Sequence, residues 1–271
     1  MAHCSAVELL RSRTGRIAIA AHRGAKGYAP ENTMAAFRRA AELGADSVEL
    51  DVHLTADDRI VVIHDDVLDR TTNGTGYVRD HTWEGIRALD AGSWFAPDFA
   101  GERVPLLAEV LTWARDAAMP LSIEIKRPIP ALGRPPYPGF PRRVLELVRE
   151  HRLTEVLFHS DDHASVLEIK RLASEFPTAI AHGGAMFMDP LAAVRAARAD
   201  GLYTHWRYVT RELVDLCHAA GVHVFGFGVG DDPTQLAQIH AMLENGTDFL
   251  SSAYPDRLRQ VVTDWLASGS A

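Results

Sequence analysis

IAIAAHRGAKGYAPENTMAAFRRAAELGADSVELDVHL, residues 17–54, contains two short apolar runs on either side of an amphipathic segment. The runs Ile17 to Ala21 and Ser47 to Leu54 have the length and apolar character of buried strands. Between them, Met34, Phe37 and Ala41 recur at helical spacing, and Gly44 stands where a helix would end. Strand, helix and strand in this order predict a parallel sheet covered by helices.

The rest of the chain repeats this alternation. Further strand candidates are Leu121 to Ile125, Glu155 to Phe158, Thr178 to Ala181, Gly201 to Thr204, Val222 to Phe227 and Asp248 to Leu250. Together with the first two they make eight, the number that closes a (β/α)8 TIM barrel of about 250 residues. We therefore predict an α/β fold in which residues 1–271 form one barrel domain, with its core at about 17–267.

Two segments depart from this rhythm. Ile60 to His64 follows the second strand after only Thr55 to Arg59, which is too short for a parallel crossover, so it should return as an antiparallel hairpin. That pairing puts His64 roughly opposite Glu49. The stretch Asp65 to Pro105 is too long for a simple strand-to-helix connection and is predicted to be an insertion on the catalytic face.

Composition limits the partners and the compartment. The chain has 28 Lys+Arg against 36 Asp+Glu, a net charge of −8, which argues against a nucleic-acid-binding surface. Residues 1–16 lack the apolar run of a signal peptide, and no stretch has the length of a membrane span. Cys4 and Cys217 are interpreted as free thiols. We expect a cytoplasmic protein without a stable membrane anchor; the sequence does not indicate the oligomeric state.

Charged side chains gather where the predicted strands end, the position of catalytic groups in barrels of this class. His22-Arg23-Gly24 follows the first strand, and Glu49-Leu50-Asp51 belongs to the second. His64-Asp65 ends the hairpin return, and Glu124-Ile125-Lys126 ends the next parallel strand. Alternation along a strand puts Glu49 and Asp51 on one face.

The three carboxylates of Glu49, Asp51 and Glu124 lie among apolar neighbours, where an uncompensated charge is costly. Three converging carboxylates form a site for a hard cation, so we predict one divalent cation, Ca²⁺ or Mg²⁺. Arg23 and Lys126 nearby suit an anionic ligand shared with that cation. The alternative interpretation is a structural network of ion pairs without a metal.

His22 and His64 are the candidate acid and base. Two histidines at strand ends beside a metal can exchange protons on both sides of a phosphorus centre, because their ordinary pKa near 6.5 permits both roles at neutral pH. We assign His64 to the nucleophile and His22 to the leaving group. Direct attack by water and attack by a substrate hydroxyl through a cyclic phosphate both stay open. Most other histidines are interpreted as ordinary core or surface residues.

These motifs resemble the glycerophosphodiester phosphodiesterase family. The resemblance also includes Pro30-Glu31-Asn32-Thr33 and the stretch from Asp69 to Gly76. It implies an eight-stranded barrel that hydrolyses glycerophosphodiesters, a small-molecule substrate, to an alcohol and glycerol 3-phosphate. By the same resemblance the metal ligands are Glu49, Asp51 and Glu124, the catalytic pair is His22 and His64, Arg23 and Lys126 contact phosphate, and Asn32 lies near the metal.

The second half of the chain departs from the family pattern. Phe225-Gly226-Phe227-Gly228 stands where the family commonly has Trp-Thr-Val-Asn, Asp161 replaces an aromatic residue, and Ser252-Ala253-Tyr254-Pro255 lacks the family's aspartate. The resemblance implies that these positions line the alcohol side of the pocket, so Phe225 is a predicted substrate contact. The departures motivate an alternative substrate, a sugar or other polyol phosphodiester.

Two further functions compete with the phosphodiesterase interpretation. A metal-dependent amide or ester hydrolase on the same barrel would usually have paired histidine ligands at the end of the first strand, where this chain has His22-Arg23. A non-catalytic phosphate-binding module would not need both His22 and His64. The residues therefore favour a phosphodiester hydrolase.

Overall fold

In a computed structural model, residues 17–128, 136–184, 188–228 and 236–269 are described. Cys4 and the segment considered as a signal peptide lie outside these ranges, whereas Cys217 is a buried free thiol. The strands are β1 Ala18–Ala21, β2 Ser47–Leu54, β3 Ile60–Val62, β4 Leu121–Ile125, β5 Val156–Ser160, β6 Thr178–His182, β7 Gly201–His205, β8 His223–Phe227 and β9 Phe249–Ser252.

Eight of these strands form a closed parallel barrel. Their order is β1-β9-β8-β7-β6-β5-β4-β2, and pairing of β1 with β2 joins the two ends. Closure leaves no unpaired edge among the parallel strands, which removes the site where another chain could add to the sheet. Each parallel strand lies where the sequence pattern predicts one, so the TIM-barrel prediction is confirmed.

Helices alternate with the strands on the outside of the barrel. Their bounds are α1 Met34–Glu42, α2 Trp83–Arg87, α3 Leu107–Asp116, α4 Phe140–Glu150, α5 His163–Leu172, α6 Pro190–Ala197, α7 Arg211–Ala219, α8 Leu236–Glu244 and α9 Pro255–Ala267. In the described ranges, none of them is both long and apolar enough to cross a bilayer. The cytoplasmic location stays a prediction.

Helix α1 shows how the local sequence sets an element. The Thr33 hydroxyl accepts a hydrogen bond from the Ala36 amide at 3.3 Å and so caps the first turn. Ala36, Phe37 and Ala40 are buried against the barrel. Gly44 then adopts a φ of +71°, a left-handed conformation that ends the helix at little steric cost for glycine.

Side chains fill the interior of the barrel beneath its carboxyl end. Small residues come from β1 and β6, while β7, β8 and β9 contribute the large rings of Tyr203, Phe225 and Phe249. Phe225 packs between the other two, with ring centroids 5.9 Å from Tyr203 and 5.4 Å from Phe249. Large rings on three adjacent strands, with alanines on the strands at either side, give a dense floor beneath the polar site.

Strand β3 runs antiparallel to β2, with Val52 paired to Val62 and Leu54 to Ile60. The Thr55 amide bonds the Arg59 carbonyl at 2.9 Å and closes the hairpin. Continuing this register brings the Ile63 amide to the Asp51 carbonyl at 3.0 Å. His64 therefore follows opposite Leu50, one residue away from its predicted partner Glu49, because the Thr55–Arg59 pair sets the register.

Residues 65–105 form a compact unit beside β3. They contain α2 and short 3₁₀ helices at Val78–Asp80 and Pro97–Phe99. Leu68, Val78 and Ile86 are fully buried and pack together with Val61 of β3 and with Ile63 just after it. This contact fixes the segment to the barrel next to the end of β2.

Candidate active site

A cavity of about 220 Å³ opens at the carboxyl ends of the barrel strands. Predicted site residues that line it are His22, Arg23, Glu49, His64, Glu124 and Lys126. Its other walls are Asp161, Ala181, His182, Gly183, Tyr203 and Phe227. Among the predicted site residues, the cavity thus brings together two histidines, two carboxylates and two cations that lie up to about a hundred residues apart in the sequence.

A tight turn after β1 aims two residues at the second strand. Arg23 has a φ of +55° and Gly24 one of +77°. A side chain at Gly24 would collide with the backbone of Ala36, 2.7 Å away, so glycine is required there. The turn directs the Arg23 amide to Glu49 Oε2 at 2.8 Å and His22 Nε2 to 3.9 Å from the same atom.

Asp51 is the most heavily neutralised carboxylate of the site. Asn32 donates through Nδ2 to its Oδ2 at 2.9 Å, and Arg23 Nε lies 3.6 Å from the same oxygen. Lys126 Nζ lies 3.1 Å from Oδ1 and 2.7 Å from Glu124 Oε1. The β2–β4 register pairs Asp51 with Glu124, which is why one ammonium reaches both.

The pKa values of Glu49 and Asp51 shift in opposite directions although both side chains are 1% exposed. Burial raises the pKa of Glu49 well above its usual range, and repulsion by Asp51 and Glu124 raises it further. Burial acts on the pKa of Asp51 in the same direction, but Lys126 and Arg23 outweigh it and hold that pKa well below its usual range. Glu49 therefore needs a further positive charge to stay ionised, whereas Asp51 does not.

A cation could meet that need at Glu49, Glu124 and His159. One ligand atom from each lies within 4.8 Å of the others. His159 is on β5 beside Glu124 in the sheet register, and burial lowers its pKa to about 3, so its ring is neutral. The sequence interpretation missed His159. It lies on the strand after Glu124, four residues before the His163 that begins α5, and no motif at that position indicated a ligand.

His64 begins a chain of charged contacts into the insertion. Its Nδ1 lies 2.6 Å from Asp65 Oδ1, and Arg70 donates to Asp65 at 2.6 Å. Arg70 also forms two hydrogen bonds to Glu31, at 2.9 and 2.8 Å, and Glu31 accepts from Arg23 Nη1 at 2.9 Å. The contacts connect a candidate catalytic histidine to a candidate phosphate ligand.

His53 lies directly beneath His64 and is fully enclosed. Its Nδ1 is 3.0 Å from the Tyr137 hydroxyl and its Nε2 is 3.1 Å from the His64 carbonyl oxygen. Burial lowers its pKa to about 4, so the ring is neutral and supports the His64 backbone. It is a further residue that the motifs alone did not reveal.

The far wall of the cavity differs from the sequence prediction in one respect. Phe225 is 1% exposed and belongs to the barrel floor, and it does not appear in the cavity wall. Phe227, two residues later on β8, lines the cavity and stacks on Tyr203 at 5.5 Å. Alternation puts both rings on one face, but it does not give their depth.

Residues 22–257 match the glycerophosphoryl diester phosphodiesterase family. The chain belongs to this family. It is accordingly a phosphoric diester hydrolase.

Two bacterial members are similar over nearly the whole length. A glycerophosphodiester phosphodiesterase of Caldanaerobacter subterraneus is 37% identical over 245 residues, covering 90% of this chain and 97% of the relative. One from Bacillus subtilis is 32% identical over 264 residues, covering 91% and 86%. The similarity therefore extends beyond the dense motifs of the first half.

Solved structures show the same barrel. An Oleispira antarctica phosphodiesterase in complex with its product sn-glycerol-3-phosphate superposes with a TM-score of 0.83, at 27% identity, covering 93% of this chain and 99% of that one. A glycerophosphodiester phosphodiesterase from Agrobacterium tumefaciens gives 0.76 at 30% identity, covering 90% and 99%.

Proposed function

We propose that the chain hydrolyses glycerophosphodiesters to an alcohol and glycerol 3-phosphate, with a divalent cation and the pair His22 and His64. The observation that carries this proposal is the cavity itself, in which both histidines share one space with Glu49, Glu124 and two cationic side chains. A phosphodiester needs these components: charge to balance its anion, a base and an acid. The related phosphodiesterases support the substrate class.

The hydrogen-bond partners of the two histidines support their division of labour. The Asp65 carboxylate can only accept, so Nδ1 of His64 carries the hydrogen and Nε2 keeps its lone pair for a proton. The Lys26 ammonium, 2.8 Å from Nδ1 of His22, can only donate, so the hydrogen of neutral His22 is on Nε2. As that proton passes to the leaving oxygen, Lys26 can give a proton to Nδ1, so the ring stays neutral. His64 is therefore the proposed base for the attacking hydroxyl, and His22 the donor to the leaving oxygen.

Arg23 and Lys126 are the proposed phosphate contacts. Burial opposes the charge on Lys126, but Asp51 and Glu124 outweigh it and raise its pKa, so the ammonium persists at neutral pH. Both cations balance the charge that builds on the phosphoryl oxygens as the new P–O bond forms and the alcohol's P–O bond breaks.

The carboxylates Glu49, Asp51 and Glu124 are the proposed surroundings of the cation. The donor set fits, because the raised pKa of Glu49 marks a buried carboxylate without sufficient counter-charge. When bound, a divalent ion supplies Lewis-acid stabilisation to a phosphate oxygen. Asn32 orients Asp51 through its amide.

The test is an assay of glycerol 3-phosphate release from a panel of glycerophosphodiesters that differ in alcohol. We expect release that stops on addition of a chelator and returns when a divalent cation is restored. Absence of release from every member of the panel would overturn the proposed substrate class.

The alternative substrate is a sugar or other polyol phosphodiester. It is favoured by the polar groups Asp161 and His182, which line the cavity together with the rings of Tyr203 and Phe227. Aromatic faces and hydrogen-bonding groups in one wall suit a ligand with several hydroxyls. Including a polyol phosphodiester in the same panel separates the two substrates by their kcat/KM ratio.

A further inference from the structure

His159 is a buried histidine whose hydrogen-bonding capacity is unused. It is 1% exposed, and within the described ranges neither ring nitrogen has a hydrogen-bond partner. Its ring stacks on Tyr203 with centroids 4.6 Å apart and planes 14° apart. Stacking fixes the ring plane but satisfies neither nitrogen, and an unsatisfied buried polar group is costly.

The unsatisfied ring faces Glu49, which accepts a hydrogen bond from the backbone amide of Arg23, and Glu124, which shares the Lys126 ammonium with Asp51. His159 Nε2 is 3.8 Å from Glu49 Oε1, too far for a hydrogen bond but close enough for both atoms to bind one ion. Glu124 completes a group whose ligand atoms lie within 4.8 Å of one another. A cation between them would bind one nitrogen of the imidazole and both carboxylates at once.

Asp51 is less available to that cation than Glu49. Asn32 and Arg23 occupy one of its oxygens, and Lys126 lies 3.1 Å from the other. The protein's own cations thus balance Asp51, while Glu49 and His159 have no equivalent side-chain partner within hydrogen-bonding distance in the described ranges. The ion would therefore lie within reach of His159 on β5 as well as of the carboxylates on β2 and β4.

We propose that His159 is a ligand of the catalytic cation together with Glu49 and Glu124, and that this nitrogen donor makes the site prefer Zn²⁺ over Mg²⁺ and Ca²⁺. Imidazole suits Zn²⁺, whereas Mg²⁺ and Ca²⁺ favour purely oxygen donors. The inference rests on the proposed function only in placing the ion at the reaction centre. It replaces the expectation of a hard-cation site with a specific mixed donor set.

The test measures binding and coordination directly. Metal-free protein is titrated with Zn²⁺ and with Mg²⁺ by calorimetry, and the Mn²⁺-loaded protein is examined by electron spin-echo spectroscopy for a directly bound ¹⁴N. We expect a ¹⁴N signal in the wild type. In His159→Gln this signal should disappear and Zn²⁺ affinity should fall about 10- to 100-fold, while Mg²⁺ affinity changes less than about threefold.

His22→Gln is the matched control, because His22 Nε2 also lies near Glu49, at 3.9 Å, but is outside the proposed ligand group. This variant should lose turnover and keep the ¹⁴N signal. A wild-type spectrum without bound nitrogen, or a signal lost in His22→Gln and kept in His159→Gln, would overturn the inference. Either result would leave chelator-sensitive hydrolysis, and so the proposed function, intact. If a variant fails to fold, the wild-type spectrum alone still shows whether a nitrogen ligand binds the ion.

Discussion

Two acidic residues separated by one position on β2 have opposite electrostatic roles. Asp51 meets an amide, a guanidinium and an ammonium, and the two cations hold its pKa well below its usual range. Glu49 accepts from a backbone amide and lies 3.9 Å from the His22 ring and 3.8 Å from the His159 ring. Asp51 therefore positions the cationic side chains of the site, whereas Glu49 is the carboxylate that a bound cation would neutralise.

Replacing His64 with alanine tests the proposed base. General acid–base help contributes typically 10² to 10⁴ in rate, so kcat of His64→Ala should fall by about that factor. Affinity for a divalent cation, measured by calorimetry, should stay unchanged because His64 is outside the ligand group. Near-wild-type turnover would show that another residue supplies the base.

Arg70 tests the chain of contacts from the insertion. In Arg70→Leu, Glu31 loses two hydrogen bonds and should draw Arg23 away from the substrate phosphate. Loss of one charge-assisted contact corresponds to about a tenfold rise in KM with a smaller change in kcat. Steady-state kinetics measures both.

Arg87→Leu is the control for that variant. Arg87 lies in the same insertion, is 64% exposed, and pairs with Glu84 at 3.9 Å across one helical turn. Its removal should leave KM unchanged. Equal effects in the two variants would mean that the insertion responds to net charge and not to the Arg70–Glu31 contact.

At the scale of elements, the segment 65–105 supports the site from outside the barrel. Arg70 reaches from it to Glu31, 39 residues earlier in the chain. Its packing depends on close backbone approach at Gly92, where a side chain would collide with the carbonyl group of Phe99. Segment 65–105, which has its own apolar cluster, thus holds Glu31 in position through Arg70, and Glu31 in turn contacts Arg23 at the cavity.

Gly92→Ala should loosen this segment. The added methyl group cannot fit against the Phe99 backbone, so we expect faster amide hydrogen exchange across residues 65–105, read by mass spectrometry, with the barrel strands protected. Gly85→Ala is the control, since its methyl group would lie 3.8 Å from the Thr82 hydroxyl and a helical alanine is favoured over glycine. Similar exchange in both variants would contradict the steric explanation.

At the scale of the whole molecule, the amino-terminal end of the barrel has its own buried charge. Asp248 precedes β9 and accepts from His218 Nε2 at 2.7 Å and from the Val224 amide at 2.8 Å. Burial alone would raise its pKa, but these bonds and His223 lower it to about 2. Far from the cavity, this residue ties α7, β8 and β9 together.

The lowered pKa of Asp248 predicts acid destabilisation. A carboxyl group with a depressed pKa in the folded state contributes stability above its unfolded pKa, near 4, and loses it as the pH falls toward about 2. The contribution is about 2 kcal/mol. Free energies of unfolding in urea between pH 6 and pH 2 should therefore fall less steeply for Asp248→Asn than for the wild type. Parallel curves would exclude this role.

Glu31 also contributes to the acid sensitivity of the wild type and of Asp248→Asn. Burial raises its pKa, but Arg70 and Arg23 outweigh burial and lower it to about 2, so it also contributes stability that acid removes. Asp248→Asn should accordingly reduce the acid sensitivity without abolishing it.

The sequence by itself determined the barrel and the faces of its strands. Apolar runs alternating with amphipathic segments suffice for a parallel closed sheet, and a repeat of two residues is enough to put Glu49 and Asp51 on one side. Helix ends such as Gly44 follow from local backbone sterics. These properties depend on residues close together in the chain, so a pattern can show them.

Only the tertiary structure decided which side chains meet and at what depth. Strand register placed His159 beside Glu124, and the Thr55–Arg59 hydrogen bond placed His64 opposite Leu50 and not Glu49. Phe227, at the carboxyl end of β8, lines the cavity, whereas Phe225, two residues earlier, lies beneath it. Such contacts join residues tens of positions apart. They depend on register and packing across strands, which local periodicity does not specify.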